Sequence, residues 1–222
     1  MVRSKKIIVT SDASGAYDAA RQGMLVLIVD VIDMSTTLES ALDAGAYAVL
    51  GCSPDFTRAP VPVSPEKLGQ EAARLARESG CGIVVVAEPR VGEEEERISR
   101  CQKVLREIER EKGQIEAVVP NLGAETPRLV AMRDRVVLAV TDSGGVAFDA
   151  AFSQGAQVIT GTVARTLEQK GLQPALSAVR RIIENLRDYH RGIALVAASR
   201  NSLEDVLAAQ FISNLLLEER ER

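Results

Sequence analysis

Short runs of β-branched and aliphatic residues alternate along the chain with longer stretches in which apolar side chains recur every three or four positions. A run that is apolar at every position buries both of its faces, as a strand inside a parallel sheet must, whereas the longer spacing gathers apolar groups on one stripe of a helix. Strands are expected at residues 7–10, 24–32, 47–50, 82–87, 115–119, 136–141, 157–160 and 192–197. Most are too continuously apolar to have one wet face and are expected to be central. Strands alternating with helix-length segments are the pattern of parallel strands joined by crossover helices. The expected fold is therefore α/β, a mostly parallel sheet flanked by helices, with residues 1–222 forming one domain. Two lobes, about 1–115 and 116–222 with a site between them, are the alternative division.

Local signals mark the helices. Thr36 and Glu39 have capping-box spacing at the head of residues 37–45, and Ser64-Pro65 supplies an N-cap and N1 proline for a helix ending near Gly80. Over residues 93–112, Ile98, Cys101, Leu105 and Ile108 form one stripe, and four leading glutamates complement the helix dipole. Further helices are expected at 144–154, 173–189 and 202–220. Residues 52–65 hold four prolines in fourteen positions, so this stretch is expected to be irregular and to cover a site or bridge two lobes.

Composition narrows the class of function. With 222 residues, 46% of them apolar, the chain can bury a substantial core. A formal net charge of -4 argues against a nucleic-acid surface, which needs clustered Lys and Arg, and favours a small-molecule partner. No apolar run approaches the roughly 18–20 residues of a membrane span, and the opening Met-Val-Arg-Ser-Lys-Lys is short for a secretory signal. A cytoplasmic protein without membrane contact is the expectation. Cys52, Cys81 and Cys101 are scattered and odd in number, suggesting neither a zinc knuckle nor a disulfide framework. The single histidine, His190, sits among Arg187, Asp188 and Arg191, which reads as a solvated helix end.

In parallel sheets ligands bind beyond the carboxyl ends of strands, so the chemistry is sought in the loops that come after apolar runs. The stretch from Asp30 through Asp33, Ser35, Thr36 and Thr37 offers two carboxylates and then three hydroxyls at a helix start. That combination can hold an anion and a bridging divalent metal, or be an N-cap with a buried aspartate. Thr141-Asp142-Ser143-Gly144-Gly145 lets backbone approach a ligand, without the glycine spacing or lysine of a Walker loop. Glu88-Pro89-Arg90 and Pro120-Asn121-Leu122-Gly123 add a carboxylate, a guanidinium and an amide. Near the end, Asn201 and Glu204 again have capping-box spacing; Glu204 or Asp205 reaching the cleft is the functional alternative.

Taken in this order, the loops resemble those of the 2-phosphosulfolactate phosphatase family over roughly residues 23–217. Asp30-Val31-Ile32-Asp33-Met34-Ser35-Thr36-Thr37 is similar to its Asp-x-x-Arg-Ala-Thr-Thr-Thr motif, Ala87-Glu88-Pro89-Arg90 to its Gly-Glu-Arg turn, and Asn121-Leu122-Gly123 to its Asn-Ser-Pro turn. Thr141-Asp142-Ser143-Gly144-Gly145 is similar to Thr-x-Asn-Gly-Thr, and Glu204-Asp205-Val206-Leu207-Ala208-Ala209 to Glu-Asp-x-x-Ala-Ala. Two departures stand out: Asp33 replaces a basic residue, and Ser143-Gly144-Gly145 replaces Asn-Gly-Thr. Reversing a charge about 4 Å from a substrate charge changes their interaction from roughly 4 kcal/mol favourable to as much unfavourable.

The resemblance implies a magnesium-dependent (Mg2+) phosphatase acting on a small anionic metabolite, an organic phospho-acid. On this expectation Asp30, Glu88 and Asp205 are the metal ligands. Asp33, Ser35, Thr36, Arg90, Asn121, Thr141, Ser143 and Gly144 hold the substrate, and Asp142 or Glu204 orients the attacking water. A non-catalytic relative that binds a small ligand or partner in the same cleft, and a lyase or isomerase acting on an acidic metabolite, are the rival expectations. A homodimer is one expectation, because residues 206–217 carry apolar side chains all round; packing of that helix within the monomer is the other.

Overall fold

The structure is a computed structural model that describes residues 5–221. Eight strands are formed: β1 (Lys6–Ser11), β2 (Met24–Val29), β3 (Ala48–Cys52), β4 (Ile83–Ala87), β5 (Ile115–Pro120), β6 (Val136–Val140), β7 (Val158–Gly161) and β8 (Gly192–Ala197). Eight helices accompany them: α1 (Asp12–Arg21), α2 (Met34–Asp43), α3 (Pro65–Ser79), α4 (Glu94–Ser99), α5 (Gln102–Arg110), α6 (Gly144–Phe152), α7 (Gln173–Asn185) and α8 (Leu203–Glu221).

The strands form two four-stranded, all-parallel sheets, in the orders β1-β8-β2-β7 and β3-β6-β4-β5. The fold is therefore α/β, as the alternation of runs implied. The central strands β2, β8, β4 and β6 are buried at every position, whereas the edges β1, β3, β5 and β7 are partly exposed, so half of the runs expected to be central are edges. Each sheet takes strands from both sides of residue 115, so the sheets do not follow a 1–115 and 116–222 division. The chain leaves the first sheet through α2 and returns to it through α6.

Period-two side-chain alternation builds the layers. In β2 and β8, Leu25, Leu27, Val29, Ile193, Leu195 and Ala197 pack with α7 and α8, while Val26, Ile28, Ala194 and Val196 join the larger core shared with the second sheet. Helices α2 and α6 lie between the sheets, contacting β3 on one side and β7 on the other. Eight of the nine residues of α6 are buried, as a helix enclosed by two sheets requires. Gly51 of β3 permits this packing, since a Cβ there would collide with Met34 and Phe148.

Several local expectations change. The strand expected to reach residue 32 ends at Val29, and α2 starts at Met34, so the Thr36–Glu39 capping box does not form. Instead Thr36 Oγ1 donates to the Val31 carbonyl at 2.7 Å and buried Glu39 pairs with Arg181. The helix expected over 93–112 breaks at Arg100–Cys101 into α4 and α5, which lets the Arg100 carbonyl accept a bond from the Asp55 amide. His190 is buried, its Nδ1 accepting from the Arg187 amide at 3.0 Å, and is not solvated. At the last helix it is Ser202, not Asn201, that caps, taking the Asp205 amide at 3.2 Å. Helix α1 had no expected counterpart because its buried side chains, Ala13, Ala16, Ala19 and Ala20, are small and make a weak stripe. No helix among the described residues is long and apolar enough to cross a membrane.

Candidate functional site

In the first sheet Ser11, Val29 and Gly161 lie level with or beside Ala197; in the second, Cys52, Ala87 and Pro120 align about Val140. The residue after each strand is therefore displayed at one end of its sheet: Asp12, Asp30, Thr162 and Ala198 from the first, Ser53, Glu88, Asn121 and Thr141 from the second. The side chains show that these two ends meet.

Asp30 is the main link. Fully buried, it accepts the Asp33 amide on Oδ1 at 2.6 Å and, across the sheets, the Gly144 amide on Oδ2 at 3.0 Å, with Ser143 Oγ at 3.5 Å. Its pKa is pushed up to about 7, first by burial and then by the Asp205 charge. Asp205 in turn receives the Val31 amide on Oδ1 at 2.8 Å and is itself raised by burial. Ser35 is enclosed, its hydroxyl accepting from the Asp30 amide and donating to the Ile28 carbonyl, both at 3.0 Å.

A second link joins the loops after β2, β4 and β5. Arg90 forms an ion pair with Asp33 and donates from Nε to the Asn121 carbonyl at 3.0 Å. Asp33, after a strand of the first sheet, is thus matched by a guanidinium from the second. Asn121 is buried; its Oδ1 accepts from Thr37 Oγ1 and from the Gly123 amide, which leaves Nδ2 without a partner. Thr36 Oγ1 also meets Thr162 Oγ1 at 2.9 Å.

The third group faces the open cleft. Glu88 lies against Asp142, and its pKa is pushed up to about 7 by burial and then by the Asp142 charge, with Arg100 opposing. Asp142 is 60% exposed and pairs with Arg100 at 2.5 Å. Beside it are two hollows, one of about 280 Å³ lined by Pro54, Phe56, Arg100 and Asp142, the other of about 220 Å³. The second is bordered by Arg58, Asp12, Ser143 and Ser199 and by the start of α1, whose N-cap Ser11 makes no side-chain cap bond. Arg58 has no ion pair among the described residues, while Asp12 is held to Arg200. Buried Asp149 of α6 anchors the proline-rich stretch, accepting from Ser53 Oγ and, at 2.8 Å, from the Ser64 amide. That stretch therefore borders the cleft.

The structure brings together Asp30, Asp33, Arg90, Asn121, Ser143 and Gly144 by direct bonds, Asp205 through the Val31 amide, and Glu88 with Asp142. It commits some of them internally. The Gly144 amide is held by Asp30, Thr141 Oγ1 takes the Gly145 amide at 2.8 Å, and Ser35 and Thr36 bond to backbone. Glu204 is exposed in the first turn of α8 and is not among the residues lining the hollows beside Asp142. Among the described residues no three His, Cys, Asp or Glu side chains are grouped to hold a metal ion, so the Asp30, Glu88 and Asp205 set is not assembled as a ligand shell. Arg58, Arg100, Asp149 and Thr162 were not expected. Arg100 and Thr162 directly precede or follow an element boundary, and only the position of that boundary reveals them.

No family model matches the chain, and no curated protein matches it.

Proposed function

We propose that the chain is a hydrolase of a small organic phospho-acid, acting in the cleft beside Asp142. The observation that carries this reading is the Glu88–Asp142 carboxyl pair, which lies where the carboxyl ends of both sheets meet and has Glu88 titrating at about 7. A carboxyl group with that pKa holds or releases a proton at neutral pH, which is the property of a general acid–base. The Arg100 guanidinium pairs with Asp142, so the exchangeable proton resides on Glu88. Arg58 and the Ser143 and Ser199 hydroxyls, at the uncapped start of α1, are the donors for the substrate anion.

Two crowded carboxylates also suit Mg2+, which takes one or two carboxylates together with water and phosphate oxygens. In a magnesium-bound form Glu88 and Asp142 would hold the ion as carboxylates, Glu88 then serving as a ligand and its acid–base role belonging to the metal-free form; Asp30 and Asp205, whose oxygens accept backbone N–H groups, support the loops. When bound, the ion would supply charge neutralisation at the phosphoryl oxygens.

The test is release of inorganic phosphate from a panel of small phospho-acids, with and without magnesium. Glu88→Gln is expected to lower turnover at least roughly a hundredfold, the scale of a lost acid–base group, whereas Glu204→Gln leaves it within about twofold. No release from any compound by the folded protein would reject the reading. Binding without turnover is the second reading, favoured by the commitment of both Asp30 oxygens to backbone. Calorimetric binding of a phospho-acid without phosphate release would establish it.

A further inference from the structure

The layer formed by α7 and α8 covers the first sheet on the side away from the second. Its inner face is filled by Ala175, Ala178, Ile182, Ala209, Ile212 and Leu216. Its outer face is unusually apolar. Of the thirteen large hydrophobic side chains exposed among the described residues, five belong to this layer, Ile183, Leu203, Leu207, Phe211 and Leu217, and a sixth, Leu172, stands at the N-cap of α7. Leu203 and Leu207 are 67% and 58% exposed, and with Phe211 they succeed one another at the four-residue spacing that makes one stripe. The same layer holds a groove of about 310 Å³ between α7 and the end of α8, lined by Leu176, Val179, Arg180, Ile183 and Glu219. Scattered apolar side chains are normal on a surface, but three in one stripe of a helix, with an apolar-lined groove in the same layer, mark a contact site.

The charges around this patch select the partner. Beside the groove, α7 presents the exposed Arg180, which has no ion pair among the described residues; the one exposed acid on that helix is Glu184. Helix α8 exposes Glu204, Glu218 and Glu219, the last lining the groove together with Arg180, and through residue 219 it carries no cation. A face with an open cation on one helix, carboxylates on the other and an apolar stripe is complementary to itself after a half-turn. That is the requirement of an isologous two-fold interface, in which each residue of one copy meets its counterpart's neighbour on the other.

We propose that this layer is where two copies of the chain associate about a two-fold axis, α7 of each lying against α8 of the other, with the apolar stripe at the centre. The arrangement does not depend on the proposed hydrolysis. A partner of different sequence would need only one of the two helices to match in charge; a second copy uses both.

Sedimentation velocity and native mass spectrometry across the micromolar range test this. The unmodified chain is expected at twice its own mass. Leu207→Glu combined with Phe211→Glu places like charges at the centre and is expected to yield monomer with an unchanged circular dichroism spectrum. Because that variant can fail for reasons of folding, a charge series runs beside it. Arg180→Glu is expected to weaken the dimer roughly tenfold, and adding Glu218→Arg or Glu204→Arg to it is expected to recover most of that loss. A monomer throughout the range, or a dimer indifferent to both the apolar and the charge variants, would overturn the proposal.

Discussion

Asp30 shows how one side chain can couple a fold to pH. Its carboxylate takes backbone N–H groups from two loops that belong to different sheets, and burial raises its pKa from 3.8 to about 7. Glu39, buried beside Arg181, is raised from 4.5 to about 7 in the same way, again chiefly by burial. A carboxyl group whose pKa is higher in the folded state binds protons more tightly there than in the unfolded chain. The stability it contributes is fully present below about pH 4 and is lost as pH rises through about 7. A shift of about three units corresponds to at most about 4 kcal/mol for Asp30 alone. Urea unfolding is therefore expected to show a less stable protein at pH 8 than at pH 5. Asp30→Asn should flatten that slope while lowering stability at pH 5, because an amide presents only one acceptor to two N–H donors. Equal stability of the unmodified protein at the two pH values would contradict this account.

At the level of elements, the start of α6 is held by close backbone approach. Gly145 lies so near β3 that a Cβ would strike the carbonyl oxygen of Cys52, and its amide is held by Thr141 Oγ1. A carbonyl in a central layer cannot move aside as a flexible side chain can. Gly145→Ala is expected to destabilise by about 2–4 kcal/mol, read as a lower urea midpoint, because α6 must shift within a close-packed interior. Gly155→Ala offers a contrasting site, with open space around the added Cβ but a positive φ of 81°, so its cost comes from backbone strain alone and is expected near 1 kcal/mol. If the two substitutions cost the same, packing at the α6 start is not what the glycine serves. Here the loop Thr141-Asp142-Ser143-Gly144-Gly145 acquires its meaning. The glycines admit strand and carboxylate, while Asp142 stays exposed at the cleft beside Arg100.

Across the whole molecule, the two sheets share one core through α2 and α6 and are tied by Asp30–Gly144 and Asp33–Arg90 at the cleft. Neither sheet can lose its strands without exposing these two helices. Unfolding is expected to be a single transition, with far-ultraviolet circular dichroism and hydrogen exchange in β2 and β4 reporting the same midpoint. Separate midpoints for the two sheets would show that the central helices do not couple them.

The chain's own pattern determined the approximate positions of the eight strands, the α/β class and the polar loops that follow them. Apolar runs must be buried and parallel strands display their succeeding loops at one end, so these features are local. Pairing is not local. That β7 and β8 return to β2 while β3 to β6 form a separate sheet was decided by tertiary structure, as was the distinction between central and edge runs. The same holds for the site: Asp30, Glu88 and Asp142 could be read as carboxylates after strands. Only the fold decided that Asp30 would hold two amides, that Arg90 would answer Asp33, and that Glu88 would face Asp142. Charge and hydrogen bonding act over a few ångströms, and those separations exist only once residues distant in the chain have been packed together.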